Sequence, residues 1–240
     1  MTNDRFELLL AIGIVLVYLL DSMRLLGRRE ALVERLARDR WQLFFGLVRI
    51  ELLGRRPALP NPMRPDRMLW MARWRLGEGI GGARIAMLPA AGGWVRAMGG
   101  LCLLLLIVVV VLAPTMLLLG ENLYFAMAIG AGYLLAISDA SLFIIRAQDF
   151  GLKRSTAIGM SVISVLCLPC APNLLRAACG GRALEVELPG FGEGTAGEAE
   201  RARFRSRFTS LLRHESWLSF EDPEQHAKIK AALSRYEVES

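Results

Sequence analysis

The chain has 240 residues, 54% of them hydrophobic, and a formal net charge of +6 at pH 7. Its mean hydropathy is +0.38, and its apolar residues are concentrated in long runs, which excludes an ordinary soluble domain with regularly dispersed apolar positions. Positive charge beside such runs is explained by binding to anionic lipid headgroups. We therefore expect the lipid bilayer as a partner, and we expect no nucleic acid.

The first apolar run extends from Leu8 to Leu20. Asp4, Arg5 and Glu7 precede it, whereas a signal peptide carries a net positive charge there. We therefore predict that residues 1–26 are an uncleaved N-terminal anchor with a span over about 8–26. Arginines are concentrated just after this run, and positively charged loops stay in the cytoplasm, so the N-terminus is expected outside.

Residues 27–97 are the predicted cytoplasmic loop, with fourteen arginines against six acidic residues. Within it, residues 30–53 carry apolar side chains at helical spacing on one face and charged ones on another. This pattern predicts an amphipathic helix. Such a helix lies along the inner membrane surface or packs on a neighbouring helix, and the pattern does not choose between the two.

Two further spans follow the loop. Residues 101–119 contain no charge and include fourteen Leu, Ile or Val, and this length is close to the roughly 20 residues that a helix needs to cross the hydrocarbon core. Only Gly120 and Glu121 separate this stretch from the apolar residues 122–145. We therefore predict a tight helical hairpin with its turn outside the cytoplasm.

Small residues recur at four-residue intervals in the second helix of this hairpin, at Ala128, Gly132, Ala136 and Ala140. Lipid supplies no hydrophobic force between helices, so close approach of backbones through small residues provides the packing. We expect this face to contact another helix, in the same chain or in a copy. Self-association or other membrane-protein subunits are therefore the expected partners.

Asp139 is an acidic residue well inside an apolar run. A carboxylate in a membrane helix is costly and indicates a function such as proton or ion handling. A hydrogen bond to Ser138, Ser141 or a neighbouring helix would remove most of that cost. Asp139 could serve transport, or the chain could be a non-catalytic subunit that does not need this carboxylate. Replacing Asp139 with Asn distinguishes the two hypotheses, because transport would be lost whereas the function of a packing subunit would persist.

A polar loop ends the hairpin, with Arg146, Asp149 and Gly151 in an Arg-x-x-Asp-x-Gly pattern. Arg146 and Asp149 are spaced for a helical ion pair, and Gly151 suits the left-handed residue after a helix end. A hairpin, this loop and a further span resemble a family of small uncharacterised bacterial inner-membrane proteins, although Gln148 stands where that family has His. The resemblance implies a four-span membrane protein.

Residues 155–175 are the fourth apolar segment, which contains several serines and ends with Pro169 and Pro172. We predict that it crosses the membrane, while Arg176 and Arg182 beyond it favour the alternative, a segment that dips and returns. The expected fold is all-α, a polytopic helical membrane protein with a three-helix core over residues 98–176. Its four spans are predicted at about 8–26, 101–119, 122–145 and 155–175.

Residues 177–240 form a polar tail. Phe204, Phe208, Leu211 and Leu212 predict one amphipathic helix, and the Asp222–Pro223 pair predicts the start of a second. The tail is expected to dock on a partner, on the membrane surface or on the cytoplasmic loop.

Cys167 and Cys170 form a Cys-x-x-Cys pair beside an apolar run. The spacing is that of a redox pair, but it lacks the βαβ context of a thioredoxin-like site, and packing explains it as well. We predict no catalytic, cofactor-binding or metal-binding residues. The expected function is a non-catalytic inner-membrane subunit. The alternatives are a small transporter that uses Asp139 and a thiol-redox protein that uses the cysteine pair.

Overall fold

The computed structural model describes residues 2–27, 29–37, 40–47, 50, 54–75, 93–180, 183–187, 198–218 and 223–238. It is 73% helix, so the mainly helical fold predicted from the sequence is confirmed. The chain divides into two compact units. The helical unit comprises Met1–Arg24, Leu59–Leu69 and Pro89–Gly181, and the sheet unit comprises Leu25–Ala58, Trp70–Leu88 and Arg182–Ser240.

The helical unit contains α1 and a later group of helices that are joined by short turns. In chain order these are α1 Thr2–Ser22, α2 Gly93–Leu105, a π-helical segment Leu106–Leu112, α3 Ala113–Leu118, α4 Asn122–Ile145, a 3-10 turn Ala147–Phe150, α5 Arg154–Leu166, a 3-10 segment Leu168–Asn173 and α6 Leu174–Gly180. Its core brings together side chains from four of these elements. They are Leu105, Val109, Ala136, Leu168 and Ala171.

The change of winding between α2 and α3 has a local cause. Pro114 has no N–H to donate, and its ring crowds the preceding turn. The N–H of Ala113 donates to the carbonyl of Val108, five residues back, which is the π-helical pattern. The Thr115 hydroxyl donates to the Val111 carbonyl at 2.7 Å. The stretch Gly93–Leu118 thereby stays helical past the proline.

Among the residues that the structure describes, two helical stretches are long and apolar enough to cross a membrane, Gly93–Leu118 and Asn122–Ile145. They match the predicted hairpin, although the first begins eight residues before Leu101. Less than half of each apolar window is buried inside the protein, 44% and 33% respectively. Both helices therefore present most of their apolar surface to the surroundings.

The other two predicted spans differ from the structure. The anchor helix α1 ends at Ser22, and a strand begins at Arg24, so the span does not continue to residue 26. The segment predicted at 155–175 is not one helix. It consists of α5, with 13 residues and therefore about 20 Å of rise, followed by the 3-10 segment and α6.

The sheet unit contains strands that the sequence did not predict. They are β1 Arg24–Leu26, β2 Glu30–Ala37, β3 Arg40–Phe44, β4 Arg56–Ala58, β5 Leu69–Arg75 and β6 Ala183–Glu187. β1 pairs with β4, and the others form a four-stranded sheet in the order β3-β2-β5-β6. β2 and β3 are antiparallel, with Leu32 opposite Phe44. β5 and β6 are parallel, with Met71 opposite Ala183.

The amphipathic helix predicted over residues 30–53 is wrong. The described part of this stretch contains β2 and β3 instead. Ala31, Leu32 and Val33 are all buried, one after another, which a helix with a single apolar face would not allow. β2 lies between β3 and β5, and an inner strand covered on both faces has a continuous apolar run.

The tail forms the two predicted helices, α7 Glu198–Leu218 and α8 Pro223–Val238. Phe208, Leu211 and Leu212 of α7 are buried, as is Ile229 of α8. The ring of Phe208 packs 6.0 Å from that of Phe45. The tail is therefore part of the sheet unit, together with strands from the predicted cytoplasmic loop.

Candidate functional site

Asp139 is buried in α4, with 1% of its surface exposed. The Cys102 thiol of α2 lies 3.4 Å from Asp139 Oδ2 and donates to it. Asp139 Oδ1 has no hydrogen-bond partner among the residues that the structure describes. The carboxyl group therefore joins α2 to α4 through one weak donor, and the sequence analysis, which identified Asp139, did not identify Cys102.

The loop at the end of α4 is a turn rather than part of the Asp139 site. Arg146 Nη1 lies 4.0 Å from Asp149 Oδ2, and both side chains are exposed. Gly151 has φ 65° and ψ 28°, the left-handed conformation expected from its position. Phe150 is buried, with its ring 5.1 Å from Trp94 and 5.6 Å from Phe143. These rings join the loop to the start of α2.

The small-residue row of α4 is buried at all four positions, Ala128, Gly132, Ala136 and Ala140. A Cβ placed on Gly132 would lie 2.8 Å from Val109 Cγ2 and 3.2 Å from Leu168 Cδ2. The Ser161 hydroxyl of α5 donates to the Ala140 carbonyl at 3.4 Å. The row therefore packs against elements of the same chain.

Polar contacts fix the 3-10 segment to the end of α1. Asn173 Nδ2 donates to Asp21 Oδ2 and to Ser22 Oγ, both at 2.9 Å. The Ser22 hydroxyl in turn donates to the Tyr18 carbonyl at 2.8 Å. Asn173 and Ser22 are buried. These bonds join positions about 150 residues apart in the sequence, and no local pattern could predict them.

Arg176 of α6 is buried and holds the loop between β4 and β5. Its Nη2 donates to the carbonyls of Asn61 and Arg64, both at 2.6 Å. The Tyr18 hydroxyl donates to the Pro62 carbonyl in the same loop. A buried guanidinium that binds two backbone carbonyls is a structural anchor, because it satisfies acceptors that would otherwise be buried without donors.

The four cysteines fall into two classes. Cys167 and Cys170 are joined by a disulfide, with their Cα atoms 5.4 Å apart, and both residues are half-buried. Cys102 and Cys179 are free and buried. Their burial keeps both thiols away from reagents in the folded chain.

The cysteine pairing predicts a labelling pattern. Unfolded, unreduced protein is expected to take up two maleimide groups per chain, and unfolded, reduced protein four, because two thiols are free. Intact-chain mass spectrometry measures the difference. The Cys167→Ser variant frees Cys170 and should take up three groups in either state. Four groups on unreduced wild-type protein would contradict the disulfide.

Comparison with protein-family models, with curated proteins and with solved structures finds no match for the chain. The resemblance noted at residues 146–151 therefore stays a prediction. The structure brings Asp139 together with Cys102, and it brings the cysteine pair to the junction of α5 and the 3-10 segment. Arg146, Asp149 and Gly151 form a separate turn.

Proposed function

We propose that this chain is a non-catalytic integral protein of the bacterial inner membrane and acts as an accessory subunit of a membrane-protein complex. The observation that carries the proposal is the apolar outer surface of the helical unit. Leu123, Leu134 and Leu166 are 71%, 70% and 78% exposed. Extended apolar surface of this kind is unfavourable in water and is what a helix presents to lipid.

The sidedness proposed from the arginine distribution has the N-terminus outside and the loop after α1 in the cytoplasm. Helix α1, which carries Asp4, Arg5 and Glu7 near its start, is proposed to cross inward. The stretch Gly93–Leu118 then crosses outward, and Asn122–Ile145 crosses back. The turn at Gly120 and Glu121 lies outside, and the turn at Arg146 lies in the cytoplasm.

Strand pairing supports a different role for residues 154–180. Strand β6 follows these residues and pairs in parallel with β5, which precedes the hairpin. Strands of one sheet hydrogen-bond directly, so they must lie on the same side of a membrane. We therefore propose that residues 154–180 form a re-entrant hairpin, which enters the membrane from the cytoplasmic side and returns to the same side. This gives three spans in place of the four predicted.

Contacts along α4 support this path. Ser161 bonds to the backbone of Ala140, and Leu168 lies against Gly132, so α5 runs antiparallel to α4. Asn173 then lies beside Ser22, at the end of α1 that precedes the cytoplasmic loop. From the cytoplasmic end of α4 the chain thus runs along α4 to its middle, and then returns to the cytoplasmic side.

The small-residue row contacts its own chain, so we propose that other subunits bind elsewhere. In the proposed topology the whole sheet unit lies in the cytoplasm, including both tail helices. It is the part of the chain that is open to cytoplasmic partners, and the helical unit anchors it.

Labelling of one introduced cysteine at a time tests the topology. A membrane-impermeant maleimide should label Glu121→Cys in intact cells, and Gln148→Cys and Ser210→Cys only after permeabilisation, because only the first is proposed to lie outside. All three positions are exposed. The native free thiols, Cys102 and Cys179, are buried and contribute little background.

Labelling of Ser210→Cys in intact cells would contradict the re-entrant hairpin, because the tail would then lie outside. The accessory role is tested separately by cross-linking in membranes, followed by purification in mild detergent. A chain that never cross-links to another protein would contradict that role and leave the topology standing.

A further inference from the structure

We propose that Cys167 and Cys170 are a redox couple at the tip of the re-entrant hairpin and are oxidised by a quinone dissolved in the bilayer. This inference goes beyond anchoring, and it rests on the hairpin proposed above. The pair lies between α5 and the segment that leads back to α6. It therefore occupies the part of the hairpin farthest from the cytoplasmic ends.

The sequence separation of the pair favours a redox role over a structural one. A disulfide stabilises a fold mainly by restricting the unfolded chain, and the effect grows with the length of the closed loop. Cys167 and Cys170 are only three residues apart. The N–H of Cys170 also donates to the Cys167 carbonyl at 2.8 Å, so the turn is already held by its backbone. The disulfide therefore adds little restraint.

The surroundings of the pair are apolar and outward-facing. Leu166, next to Cys167, is 78% exposed, and Ile163 is 65% exposed. The two free cysteines, by contrast, are buried inside the helical unit. The disulfide-bonded pair therefore lies next to the lipid-facing surface, whereas the two free thiols are shielded from lipid and solvent.

The position of the pair in the bilayer favours a lipid-soluble oxidant. Leu168 lies between the two cysteines in sequence and packs against Gly132. Asn173, three residues after Cys170, lies beside Ser22 at the end of α1 that precedes the cytoplasmic loop, so the pair lies in the cytoplasmic half of the roughly 30 Å hydrocarbon core. A quinone dissolved in the bilayer contacts the exposed apolar side chains of Ile163 and Leu166 beside the pair.

The reaction balances with a quinone as sole co-reactant. The two cysteine S–H bonds break, one S–S bond forms, and two electrons and two protons pass to the two quinone oxygens, giving a quinol. Quinones accept electrons from protein dithiols in this way. The disulfide in the structure is the oxidised product of this step.

The test uses the full chain, reduced with a phosphine in detergent and reconstituted into phospholipid nanodiscs without oxygen. Adding a short-chain ubiquinone should yield one quinol per chain and remove two alkylatable thiols. Cys170→Ser should yield no quinol. Cys179→Ala, the matched control, should give the full yield. An unchanged elution volume in gel filtration verifies that each variant is folded.

Three outcomes would overturn the inference. The pair could resist reduction even in detergent, could stay reduced in the presence of quinone, or could be oxidised by glutathione disulfide but not by quinone. None of these would affect the proposed anchoring role. Conversely, labelling of reduced Cys170 in intact cells by an impermeant maleimide would contradict the re-entrant hairpin itself.

Discussion

Gly132→Leu is expected to destabilise the helical unit strongly. A Cβ at this position would already lie 2.8 Å from Val109 Cγ2 and 3.2 Å from Leu168 Cδ2, and leucine adds three further carbon atoms. Overpacking of this kind costs about 1–3 kcal/mol, and we expect the upper end because both neighbours belong to the core. The thermal midpoint in detergent, followed by circular dichroism, measures the loss.

Gly130→Leu is the matched control on the same helix. Gly130 is exposed, and apart from its chain neighbours and the backbone of α4 itself, no atom of the described residues lies within 4 Å of a Cβ built there. Both variants add the same side chain to the same helix, so helix propensity and hydrophobicity change equally. Equal thermal midpoints for the two variants would contradict the packing of Gly132 against Val109 and Leu168.

The hairpin of α2 to α4 could be predicted because its determinants are local. A charge-free run sets the span, and Gly120 with Glu121 sets the turn. The start of α2 at Gly93 could not be predicted in this way, because glycine-rich sequence is a poor guide to helix. There the ring of Trp94 packs on Phe150, a contact between residues far apart in sequence.

The sheet could not be predicted because its strands depend on distant partners. β2 and β3 have apolar residues that also fit a helical period, and pairing with β5 decides between the two structures. β6 pairs with β5 from more than a hundred residues away. A single sequence contains no pattern that joins these two segments.

The candidate site was predicted in part. Asp139 was identified by its charge in an apolar run, and Cys167 and Cys170 by their spacing. Cys102 and Asn173 were missed, because a single thiol or amide in an apolar segment has no pattern of its own. Arg176 did indicate the path of residues 155–175. A cation just beyond a short apolar helix favours a segment that returns to the same side of the membrane over one that crosses it, and Arg176 is buried in the structure.

Glu215→Gln is expected to destabilise the sheet unit, by up to about 3–5 kcal/mol, because it removes a buried carboxylate that lies beside the buried guanidinium of Arg56. Arg56 Nη1 lies 3.5 Å from Glu215 Oε1, and the two side chains are 1% and 5% exposed. Arg56 Nη2 also donates to the Gly27 carbonyl, so the guanidinium cannot turn to water without losing that bond. Urea denaturation of the full chain measures the change, with limited proteolysis of the tail as the readout of unfolding.

Glu224→Gln provides the control, since the Lys228–Glu224 pair is shorter, at 2.6 Å, but its side chains are 63% and 80% exposed. Exposed pairs of this kind contribute only about 0.2–1 kcal/mol. If Glu215→Gln and Glu224→Gln shifted the urea midpoint equally, the charge at position 215 would have to be reached by water, and the buried pair would not stabilise the sheet unit.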